Sequence, residues 1–74
     1  MNIENELFKT LVKKYEQKIQ ECKSILMIYF EKSVGIGDHS THLDKMNNLI
    51  TEMTEANDNL KMLHQTFASM YGKL

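Results

Sequence analysis

Val34-Gly35-Ile36-Gly37-Asp38-His39-Ser40-Thr41-His42 is the stretch on which the chain turns. Two of the three glycines stand here, between two long arms patterned as helices. Glycine has no Cβ and reaches positive φ without steric cost, so Gly35 is the natural stop for a first helix. The Asp38 to Thr41 run then offers side-chain oxygens to cap a second. Thr41 and Asp44 also have the spacing of a capping box.

The arm before the turn carries Phe8, Val12, Tyr15, Ile19, Cys22, Leu26 and Tyr29, spaced 4, 3, 4, 3, 4, 3. That is a heptad seam. Ile3, Leu7 and Leu11 widen the stripe at its start. Ile25, Met27, Ile28 and Phe30 widen it at its end, until the helix is apolar nearly all round. Such a segment is buried all round, which one partner helix cannot achieve. Ile25, Leu26, Ile28, Tyr29 and Phe30 are therefore expected at an interface between subunits.

The arm after the turn carries Leu43, Met46, Ile50, Met53, Asn57, Leu60, His64, Phe67, Tyr71 and Leu74 in strict 3, 4 spacing. Leu49, Ala56, Leu63 and Met70 form a second row beside it. A face this wide suits a bundle of four or more helices. Asn57 and His64 fall on the strict row and are expected in the oligomer interface, Asn57 as a register-setting polar residue. Gly72 is expected to fray the end.

The pattern predicts an all-α fold in a single unit over residues 1–74: a helix over about 3–32, a Gly turn over 33–39 and a helix over about 40–70. The two arms should form an antiparallel hairpin. Two helices touching along one seam bury little apolar surface for a chain without disulfide or metal, so assembly into a homo-oligomeric helical bundle is expected.

Composition narrows the function classes. The chain is 42% apolar and 26% charged, which is ordinary for an ordered protein. The longest apolar run, Ile25 to Phe30, is far too short to span a bilayer. The first residues, Met1 to Glu6, lack the basic and apolar regions of a secretion signal. A lone Cys22 fits a reducing compartment, so a cytoplasmic protein is expected. Net charge is −1 and every cation is Lys, which argues against a reader of duplex nucleic acid. Lys9 to Lys23 is basic and Asp38 to Asp58 acidic. Antiparallel pairing would bring Lys14 and Lys18 to the level of Glu55 and Asp58.

The turn is the part of the chain best equipped to hold a ligand. Gly35 and Gly37 let backbone N–H groups approach closely, and a helix N-terminus favours an anion. Ser40 and Thr41 add hydroxyls, Lys32 and Lys45 add charge, and His39 and His42 can hydrogen-bond a base or phosphate. A base could stack on Tyr29 or Phe30. Against this, Gly-x-Gly is not a phosphate loop without a following Gly-Lys-Ser/Thr or a preceding strand, and Asp38 has the wrong charge. The simpler explanation of the glycines is that they form the turn. His39 and His42 have a spacing that can hold zinc, but a structural site wants four ligands, so no metal and no cofactor are expected. Cys22 reads as an inert core thiol. No catalytic set can be assembled, and the chain is not expected to be an enzyme.

Val34-Gly35-Ile36-Gly37-Asp38-His39, followed by Leu43-Asp44-Lys45-Met46 and Leu60-Lys61-Met62-Leu63, resembles a group of small proteins of tailed bacteriophages. Those look like two helices around a Val-Gly-Ile-Gly-acid-His turn. The resemblance covers Val34 to Phe67, and the proline often found before the valine is Ser33 here. It implies a non-enzymatic accessory protein of the bacterial host cytoplasm. One implied role is a homo-oligomer that sequesters a cyclic nucleotide immune signal. The other is a structural or protein-interaction module: an assembly factor, a minor virion part or an inhibitor of a host protein.

Overall fold

The computed structural model describes residues 2–32 and 39–72, with the backbone alone for His39 and Ser40. Two helices account for nearly all of it: α1, Ile3–Lys32, and α2, His39–Tyr71. The start of α1 is set by Asn2. Its Oδ1 accepts the backbone N–H of Glu4 at 3.1 Å and of Asn5 at 3.4 Å. This satisfies two of the donors a helix start leaves open. Glu4 and Glu6 in the first turn favour the same end. The start of α2 lies at His39, so Thr41 is inside the first turn and does not cap it from outside. The residue preceding α2, Asp38, lies outside the described residues.

The helices run antiparallel. Three contacts step down one helix as they step up the other: Tyr29 with His42, Lys18 with Glu52, and Phe8 with His64. The molecule measures 54 × 19 × 13 Å. Thirteen ångströms is about one helix diameter with its side chains. The hairpin is therefore a single layer, and only the line between the two helices can be dry.

Along that line α1 follows its periodicity. Phe8, Cys22 and Leu26 are buried, and Val12, Tyr15, Ile19 and Tyr29 are half-buried. On α2 only part of the expected wide face turns toward α1. Met46, Leu49, Met53, Ala56, Leu60 and Leu63 turn inward, with Ala56 only 4% exposed. Leu43, Ile50, Asn57 and His64 stand on the exposed flank. The two overlapping rows share Met46, Met53 and Leu60, so the choice is between Asn57 and His64 on one side and Ala56 and Leu63 on the other. Burying the second pair leaves no polar group without a partner. The small Ala56 also lets α2 approach α1 closely. Leu26 belongs to this seam, being 5% exposed within one chain, and is not available to another subunit.

Gly72 does not fray α2. Its N–H donates to the Ala68 carbonyl at 2.9 Å. A Cβ there would lie 2.9 Å from that same oxygen and 3.3 Å from the Phe8 ring. The glycine lets the last turn close over Phe8.

Candidate functional site

At the turn end of the hairpin, Tyr29 in the last turns of α1 meets His42 in the first turn of α2. Their ring centroids are 5.4 Å apart, edge to face at 68°. Tyr29 also lines a recess of ≈ 250 Å³ with Ile25, Lys45, Asn48, Leu49 and Glu52. Three of the expected ligand residues, Tyr29, His42 and Lys45, are thus brought to one place. Thr41 and Lys32 are exposed near it. Gly35 and Gly37 lie outside the described residues, as do the side chains of His39 and Ser40. Among the described residues no three His, Cys, Asp or Glu side chains converge on a point that could hold a metal ion.

The middle of the hairpin carries an open cleft of ≈ 490 Å³ whose rim is charged. Lys14, Lys18 and Glu21 face Glu52 and Glu55, with Tyr15 and Ala56 at the seam. Lys18 Nζ lies 3.3 Å from Glu52 Oε1. Glu55 stands with Lys14 and Lys18 at the expected level, while the ion pair itself is made by Glu52, one turn nearer the hairpin turn. The hydrogen bond to Glu52 and the charges of Glu52 and Glu21 raise the Lys18 pKa above its ordinary value. The pair is exposed, and exposed pairs contribute little. These lysines face carboxylates, which works against an anion-binding surface at this level.

Cys22 lies beneath this cleft, 2% exposed. Burial, then the nearby Glu52 and Glu21 charges, push its thiol up, with Lys18 acting the other way. The protonated thiol packs as a small apolar group.

The open end of the hairpin holds a groove of ≈ 280 Å³ lined by Leu7, Phe8, Leu11, Leu63, Phe67 and Tyr71, with Glu4 its one charged residue. Phe67 and Tyr71 stack at 6.0 Å, and His64 stands edge-on to Phe8 at 5.7 Å. The sequence signal for this groove is the widening of the stripe by Leu7 and Leu11. Its closure by Phe67 and Tyr71 depends on how α2 is rotated, and periodicity alone did not define that.

No protein-family model matches the chain, and no curated protein or solved structure is similar to it. Among the described residues, no helix is long and apolar enough to cross a membrane.

Proposed function

We propose that this chain is a non-catalytic helical-hairpin module that works as a homo-oligomer, an accessory protein of the phage type acting in a bacterial cytoplasm. The observation that carries the reading is unburied apolar surface. Among the described residues only Phe8, Cys22, Leu26 and Ala56 are buried hydrophobics, while twelve large apolar side chains are exposed. Phe30 is 65% exposed, Leu43 63%, Ile28 53% and Leu7 59%. The chain exposes 5746 Å². A compact monomer of its 8.7 kDa would expose about 4,700 Å². Its radius of gyration is 16.5 Å, against roughly 11 Å for a compact domain of this length. Twelve exposed large apolar side chains on so extended a molecule mark an association surface. Sedimentation equilibrium tests this directly: a dimer or larger is expected at micromolar concentration, and Ile28→Glu is expected to weaken it. A stable monomer throughout would overturn the reading.

A second reading, sequestration of a cyclic nucleotide, draws on the meeting of Tyr29, His42 and Lys45 at the turn end. An aromatic face, an imidazole and an ammonium are the groups that take a base and a phosphate. Calorimetric titration with a panel of cyclic di- and trinucleotides tests it. Binding that is lost in Tyr29→Ala and weakened in Lys45→Ala supports the reading, and absence of heat with the whole panel removes it.

A further inference from the structure

We propose that α1 carries a stripe complementary to itself, and that a second copy of the chain docks on it antiparallel, with the two-fold axis passing at Lys18. The inference rests on the homo-oligomer reading above and names the surface that makes it.

Beside the seam, α1 holds a second row at 3, 4 spacing, running from Glu4 to Lys32. Each member from Leu7 to Ile28 stands one residue before a seam residue, about 100° round the helix from it. A partner helix on this row lies in the groove between α1 and α2, beside the seam rather than in it. Every member of the row is exposed. The open-end groove includes Leu7 and Leu11, the central cleft Lys14, Lys18 and Glu21, and the turn-end recess Ile25. These three recesses follow the row along its length, with α2 forming their other wall.

Reversing the row about Lys18 superimposes it on its own complement. Leu7 meets Ile28 of the second copy, and Leu11 meets Ile25. Lys14 meets Glu21, and Glu4 meets Lys32. Apolar falls on apolar, and charge falls on opposite charge. This is the condition for an isologous contact, in which one patch serves both subunits. A foreign helix would impose no such symmetry on the row. The one like-charge encounter is Lys18 with its counterpart at the axis, and each Lys18 is already held by Glu52 of its own chain at 3.3 Å. The extended hairpin exposes about 1,000 Å² more than a compact monomer of its mass, and a specific dimer buries roughly 800 Å² per partner.

The test uses the full chain. Lys14→Glu and Glu21→Lys should each raise the dimer dissociation constant on the order of tenfold, with helix content by circular dichroism unchanged. The double variant, carrying both changes, should return it close to the wild-type value. In a Cys22→Ala background, Lys18→Cys should oxidise to a covalent dimer. Leu7→Cys should not do so alone, but should when mixed with Ile28→Cys. A dimer indifferent to both charge changes, or one in which Leu7→Cys crosslinks to itself, overturns the stripe while leaving the homo-oligomer reading intact. A monomer at every concentration overturns both.

Discussion

Cys22 shows how much one small side chain decides here. It is the most completely buried side chain among the described residues, 2% exposed, and its thiol pKa is raised chiefly by that burial. A thiol whose folded pKa exceeds its unfolded value stabilises the fold fully below the unfolded pKa, about 8.5. The contribution is lost as pH rises through the folded value, because the unfolded chain releases its proton first. Urea midpoints should therefore fall between roughly pH 8 and 9.5 in the wild type. Cys22→Ala should flatten that slope while lowering stability at pH 7 by about 1 kcal/mol for the lost packing. Parallel slopes in the two proteins would place the thiol in water. At the other extremity, Gly72 leaves room that any other residue would fill. Gly72→Ala should cost roughly 1–3 kcal/mol by forcing Cβ against the Ala68 carbonyl and the Phe8 ring. Urea unfolding of that variant reads the loss.

At the scale of the helix, the rotation of α2 is what the two overlapping rows left open. Ala56→Leu should destabilise the hairpin by about 1–3 kcal/mol, since the position is 4% exposed and its small side chain sets the close approach of α2 to α1. Asn57→Leu, one residue on, should change hairpin stability by less than about 0.5 kcal/mol. The opposite order would put the strict row back on the seam. The seam of α1 was legible from spacing because Phe8 to Tyr29 is one unbroken row flanked by charge in its middle. The all-helical class and the packing of two arms were legible for the same reason. On α2, both rows hold leucine and methionine at the shared positions. Only the polar groups discriminate, and strict spacing favoured the row that contained them. Weighing Asn57 and His64 as desolvation costs, rather than as seam polar residues, selects the face the structure shows. The level of the charge pairs was legible to within a turn, since it follows from the antiparallel pairing of the two arms. Thr41 resembled a cap, whereas the helix already starts at His39. Of the turn-end residues, Tyr29, His42 and Lys45 could be grouped from the hairpin topology alone, since all lie within two turns of the bend.

For the whole molecule, a layer one helix thick has no interior beyond its single seam, so association and folding are expected to be one process. The melting temperature should then rise with protein concentration, by about 4 °C per tenfold for a dimer of this length. Differential scanning calorimetry over two decades of concentration checks this, and an invariant midpoint would show that the hairpin stands alone. The antiparallel order of contacts has one more effect. Tyr29 and His42 enclose a short length of chain, Lys18 and Glu52 a longer one, and Phe8 and His64 most of it. Closing each successive contact from the coil costs more entropy, but closing it after its inner neighbour costs little. The hairpin should therefore zip from the bend outward and open from its free ends inward. Amide exchange would then be graded along both helices, slow beside Leu26 and Leu49 and fast beside Phe8 and Phe67, giving each backbone proton a clock set by its distance from the bend.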